Sequence, residues 1–281
     1  MNDVGRYYFP GATRWPIFGS MALLFMAVGA ATWLNHGSVG PYILAAGLGL
    51  LLYMLFGWFG AVIRESVGGL YDKQVDSSYR WGMSWFIFSE MMVFAALFGA
   101  LFYIRLISVP SLASGETAQL WGSFKGGWPT AGPGFTGSFS PMSAWGVPAI
   151  NTLILLSSGA TVTWAHWALK KDNRVQLKTG LLVTIALAVL FLCMQASEYH
   201  HAFTALNLNL RTGAYGATFY VLTGFHGFHV ALGTTMLIVI LVRVLRGQLT
   251  PEHHFAFEAV SWYWHFVGVV WLLLFVLVYW L

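Results

Sequence analysis

The chain has 281 residues, 58% of them hydrophobic, 17% aromatic and only 9% charged, with a mean hydropathy of +0.68. Soluble domains carry about 25% charged residues, so this composition excludes a soluble globular protein and describes an all-α, polytopic membrane protein. The formal net charge of +4 would suggest nucleic acid in a soluble chain, but here the cations sit in the connections between apolar runs and no nucleic-acid partner is implied. Cys193 is the single cysteine, which excludes a disulfide framework, a CxxCH haem attachment and a thiolate metal cluster.

The chain opens on a polar and aromatic stretch, MNDVGRYYFPGATRWP. The apolar run after it is longer than a signal-peptide core and reads as a retained first span. A spanning helix needs roughly 20 mainly apolar residues, and seven stretches qualify: 17–35, 41–63, 82–107, 147–169, 179–203, 215–242 and 258–281. On this map Arg6, Arg14, Arg64, Lys73, Arg80, Lys170, Lys171, Arg174, Lys178, Arg243 and Arg246 fall on one side, and only Arg105, Lys125 and Arg211 on the other. The positive-inside rule then predicts an N-terminus on the cytoplasmic or matrix side and a C-terminus outside. The only long connection, 108–146, is rich in Gly, Pro, Ser and Trp and predicts an ordered, irregular surface loop. No Walker loop, GxGxxG fingerprint or GxSxG elbow occurs, so the candidate chemistry is intramembrane.

Titratable groups inside a bilayer are costly and need a reason. Glu90, in WFIFSEMMVFAALF, lies eight residues into the third span, roughly 12 Å deep at 1.5 Å per residue. Its carboxyl must be protonated, hydrated or paired, either as a proton relay or as a neutral hydrogen-bonded tie between helices. His226 and His229 share a face of the sixth span, with Gly224 and Gly227 expected to let another backbone approach. They are the most ligand-like pair, yet a metal site needs further converging ligands, and none is assigned. Glu198 and His201 form one E-x-x-H pair, half of a di-iron carboxylate signature. Glu258 and His265 are two turns apart on one face of the seventh span, with His166 a candidate partner from a neighbouring helix. His253 and His254 precede that span in a loop and receive no role. Trp58, Arg64 and Glu65 close the second span, and Arg243 and Arg246 the sixth, on the same side. They read either as interfacial anchors or as a site for an anionic phospholipid headgroup.

Ordered motifs along the whole chain resemble one family: AVIRES at 61–66, RWGM and FSE within 80–90, GGWP at 126–129, NTLILLSSG at 151–159, TWAH at 163–166, QASEY at 195–199, TGFHGFHV at 223–230 and HHFAFEAVSWYWHFVGVVW at 253–271. The chain is similar to subunit III of the cytochrome c oxidases, in the haem-copper oxidase superfamily. The resemblance implies a two-helix bundle, 17–63, beside a five-helix bundle, 82–281, with phospholipids in the cleft. Positions matching the lipid contacts are Trp58, Arg64, Glu65, Arg243 and Arg246. Glu90 matches a buried glutamate, with His226, His229, Glu258 and His265 as an intramembrane polar network. The resemblance also implies a chain without its own redox centre, with haem and copper in partner subunits. It would dock on subunit I beside subunit II, stabilise the oxidase, and support proton and dioxygen access. Where the family commonly reads HFVDVVW this chain has Gly268, so no mechanism can use a carboxylate there; the segment GLYDKQVDSSYR at 69–80 also departs. A quinol oxidase subunit III is the near alternative, disfavoured because such chains resemble a form lacking the first two helices. A membrane di-iron oxygenase would need more histidine boxes, and a secondary transporter would need inverted repeats.

Overall fold

The computed structural model describes residues 11–122 and 124–281; the first ten residues, with the expected inner-side Arg6, lie outside the described residues. All regular structure among the described residues is helical, and seven helices are long and apolar enough to cross a membrane. They form two compact units, the first ending at Trp81 and the second running from Gly82 to Leu281.

In the first unit α1 (Trp15–Leu34) and α2 (Gly40–Val67) form an antiparallel hairpin. Proline in the first turn starts each helix, where its missing N–H costs nothing and its fixed φ suits the helix. The hairpin closes by small residues rather than by a large core. A Cβ on Gly29 would stand 2.4 Å from the Leu44 nitrogen, and one on Gly47 would stand 2.7 Å from the Met26 nitrogen. Helices in lipid associate by this kind of close packing because their apolar side chains gain nothing from leaving hydrocarbon. Trp15, Phe18 and Tyr53 pack edge to face at the open end of the hairpin, which also places Arg14 and Arg64 at one end.

Helix α3 (Lys73–Tyr103) starts where the Asp72 carboxylate accepts the Val75 N–H at 2.8 Å, a side-chain cap of the usual kind. It runs on through a π-helical turn, Ile104–Ser108, into α4 (Val109–Leu112), so the third span is longer at both ends than hydropathy predicts. The connection after it contains a further turn of helix, α5 (Thr117–Leu120), and is then irregular as expected. Its order comes from the rest of the second unit. Thr130 and Ala131 carbonyls accept the N–H groups of Tyr215 and Ala214, and Trp128 packs against the Tyr215 ring.

The remaining helices are α6 (Val147–Lys170), α7 (Arg174–Ala205), α8 (Gly213–Leu245) and α9 (Phe255–Leu274), the last continued by a π-helical segment, Phe275–Trp280. Their core is Phe191, Phe219, Leu237, Phe257, Trp264 and Trp271, all at most 1% exposed. Three pairs of polar side chains inside it meet across helices. Trp264 Nε1 donates to Ser158 Oγ at 3.0 Å, Trp271 Nε1 donates to Thr152 Oγ1 at 2.9 Å, and the Thr161 and Thr184 hydroxyls meet at 2.8 Å. α7 begins five residues before its apolar run, because the Asn173 side chain accepts the Gln176 N–H; hydropathy cannot see a charged first turn. The expected backbone approach at Gly224 and Gly227 is not found. A Cβ on Gly227 would meet no atom within 4 Å, and one on Gly224 only the Tyr199 hydroxyl at 3.9 Å. Close approaches between spanning helices of this unit occur instead at Gly180, against Ala165, and Gly233, against the Trp264 ring.

Candidate functional site

Helix α3 carries Glu90 into the second unit and α8 presents His229 to it: Oε2 and Nε2 are 2.8 Å apart. The His229 side chain is 6% exposed and that of Glu90 is 23% exposed. Aromatic rings wall the pair, Phe94 lying 5.0 Å from the imidazole and Tyr263 stacking at 6.4 Å. The other imidazole nitrogen settles the proton count. Nδ1 faces the Phe225 carbonyl at 2.7 Å, and a carbonyl can only accept, so Nδ1 carries a proton. The link between Nε2 and Oε2 then holds one proton, either on a neutral glutamic acid donating to imidazole or on an imidazolium donating to carboxylate. Both states have zero net charge. A proton can therefore change partner without leaving an uncompensated charge in a low-dielectric setting, which would be the costly event.

His226, one turn earlier on α8, does not join this pair. It is fully buried between Phe191 and Trp271, and its Nε2 donates to the Val267 carbonyl on α9 at 3.1 Å. The residue spacing that puts two histidines on one helix face thus sends them to different neighbours. Glu258 and His265 both meet α6, but separately. His265 lies 3.1 Å from Thr163 Oγ1, and since that hydroxyl already donates to the Gly159 carbonyl, the imidazole is the donor. Glu258 lies beside His254 and His166. Glu198 is 3% exposed whereas His201 is exposed, so this E-x-x-H pair does not converge on one point. Gly268 borders a groove of about 490 Å³ on the α6 and α9 surface, together with His265, Thr163 and Trp167, and a Cβ there would meet nothing within 4 Å.

The residues expected to hold lipid divide between the units. In the first, Trp58 and Arg64 are exposed, while the Glu65 carboxylate accepts from the Tyr71 hydroxyl at 2.8 Å. Burial, then hydrogen bonding with Tyr79 and Glu65, hold the Tyr71 hydroxyl well above the usual phenol range, so it remains a donor. Sequence reasoning missed Tyr71, which sits in the segment connecting α2 and α3. In the second unit Arg246 is exposed but Arg243 is buried, and its Nε has no hydrogen-bond partner among the described residues.

Fold and site together define a multi-pass helical membrane protein with an acid and an imidazole paired inside its bundle. The family model for cytochrome c oxidase subunit III matches residues 6–281, and the chain belongs to that family. Similar relatives named cytochrome c oxidase subunit 3 come from Hippopotamus amphibius, 40% identical over 280 residues, covering 99% of this chain and 98% of the relative. Those from Latimeria chalumnae are 40% identical with the same coverage, and from Marchantia polymorpha 42% identical over 275 residues, covering 98% and 96%.

Proposed function

We propose that the chain is the non-catalytic third subunit of a proton-pumping cytochrome c oxidase, an aerobic respiratory complex that reduces dioxygen to water with electrons from cytochrome c. In this reading haem and copper belong to subunits I and II. The chain docks chiefly on subunit I, stabilises it, and supports proton and dioxygen access. The membrane is a bacterial cell membrane or a mitochondrial inner membrane, with the N-terminus on the cytoplasmic or matrix side. The observation that carries the reading is the Glu90 and His229 link in a chain of this family. A buried pair sharing one proton at zero net charge is suited to hold or relay protons, and intramembrane ionisable groups commonly mark such paths.

Complex purified with Glu90→Gln tests this directly. It is expected to keep its haem spectrum and its full complement of this chain while proton uptake during turnover slows. Unchanged proton uptake would restrict Glu90 to helix packing, and purification of the parent chain without haem-bearing partners would overturn the oxidase reading.

Phospholipid is the second ligand class in this reading, held by Trp58 and Arg64, with Glu65 tied to Tyr71, and by Arg243 and Arg246. A buried guanidinium nitrogen with no acceptor among the described residues supports a bound anionic headgroup, since guanidinium matches phosphate geometry. Complex carrying Arg243→Ala together with Arg246→Ala should retain less phospholipid, counted by mass spectrometry of the extracted lipid. Equal lipid in variant and parent would refute the assignment.

A further inference from the structure

At the end of the second unit where α6 stops and α9 starts, His166, His254 and Glu258 converge. One donor atom from each lies within 4.8 Å of the other two. His254 immediately precedes α9 and stands one turn before Glu258, with Nε2 3.9 Å from Oε2. His166 comes from the last turns of α6, its ring centroid 5.6 Å from that of His254. The cluster is half-enclosed: the His254 and Glu258 side chains are 13% and 17% exposed, and fully buried Phe257 walls it 5.4 Å from the His166 ring. Within it His166 Nε2 and His254 Nδ1 are buried without a hydrogen-bond partner among the described residues. Buried ring nitrogens are normally satisfied, and each exception asks for an explanation.

We infer that this cluster binds a divalent transition-metal ion of the zinc type, which ties the end of α6 to the start of α9. Two imidazole nitrogens and one carboxylate oxygen form a donor set that suits a borderline-soft dication and leaves a fourth position for water. Bound at about 2.0 to 2.2 Å, tetrahedral donors lie roughly 3.3 to 3.6 Å from one another. Closing from separations of up to 4.8 Å is within reach of rotation about the side-chain bonds of the three residues. The carboxylate offsets one of the two metal charges, and the ring nitrogens must be neutral to ligate. Lys170, one turn beyond His166, adds a positive field at that ring, which weakens the site without removing a donor. An ion of this kind carries no redox chemistry, so the inference goes beyond the oxidase reading and does not depend on it.

The test uses the complex in which the chain is purified, stripped with a chelator, exposed to zinc sulfate and dialysed. Zinc is measured by plasma mass spectrometry per mole of this chain, so the count does not rely on haem. The parent is expected to hold one zinc more than His254→Ala, and its zinc-edge X-ray absorption should contain an imidazole contribution that the variant lacks. Equal zinc in parent and variant, or no zinc retained by the parent, would overturn the site. If His254→Ala does not assemble, Glu258→Gln supplies the same comparison while keeping the side-chain volume.

Discussion

Glu90 and His229 show how much depends on which atoms a residue's neighbours leave free. Because the Phe225 carbonyl claims Nδ1 of His229, Nε2 and Glu90 must share a single proton, and a substitution at Glu90 is judged by whether it can still meet Nε2. Glutamine can donate its amide to a neutral imidazole, so Glu90→Gln should assemble with near-parental stability. Alanine leaves a buried ring nitrogen unpaired, and Glu90→Ala should cost about 1 to 3 kcal/mol. Thermal or detergent denaturation of the two variants side by side separates these outcomes; equal losses would mean that the hydrogen bond contributes nothing. Of this pair both members stood out in the sequence, as an acid and a histidine in apolar surroundings. Their partnership did not, because 139 residues separate them and helix periodicity carries no information about which helix a face will meet. His254 was passed over for the same reason: a histidine in a polar connection looks ordinary until α6 brings His166 beside it.

Among the helices the legible part was number and approximate position, because twenty apolar residues in a row have few alternatives to a span. Their ends were less legible. α3, α7 and α2 extend beyond their apolar runs into charged turns, held by backbone hydrogen bonds and by side-chain caps such as Asp72 and Asn173. Packing between helices is decided by glycines that look alike in sequence. Gly29 lies against the Leu44 backbone, whereas Gly49 has nothing within 4 Å of an added Cβ. Gly29→Ala should therefore force the α1 and α2 backbones apart and destabilise the hairpin by about 1 to 3 kcal/mol, the usual range for overpacking. Gly49→Ala should be silent, and matching denaturation midpoints for the two variants would refute the close-approach argument. Gly227 and Gly224 show the reverse case, small residues suggestive of a contact that the fold does not make.

At the level of the whole molecule the cations sort by end. In the second unit Lys170, Lys171, Arg174, Lys178, Arg243 and Arg246 border the end where α9 starts, while Arg105 hydrogen-bonds the C-terminal Leu281 carbonyl at the other. In the proposed orientation the first of these ends faces the cytoplasm or matrix. Single cysteines placed at Asp172 and at His36, in a background carrying Cys193→Ala, should be labelled by an impermeant maleimide from opposite sides. The His36 position should react from outside in intact cells or mitoplasts, and the reverse pattern would invert the topology.

Composition and hydropathy alone determined that this is a helical membrane protein with seven spans, and the charge asymmetry of its connections carried an expected orientation. Those properties follow from one-dimensional quantities: an apolar run long enough to cross hydrocarbon, and cations too costly to translocate. The ordered motifs also carried the family. Only the tertiary structure decided that Glu90 pairs with His229 and not His226, that Trp264 and Trp271 are satisfied by Ser158 and Thr152, and that His166, His254 and Glu258 meet. Each of these depends on the rotation of one helix against another, which is fixed by where glycines permit contact and where buried polar atoms find partners. A single helix's sequence pattern does not contain that rotation, because in lipid several faces of each helix are apolar enough to be the outer one.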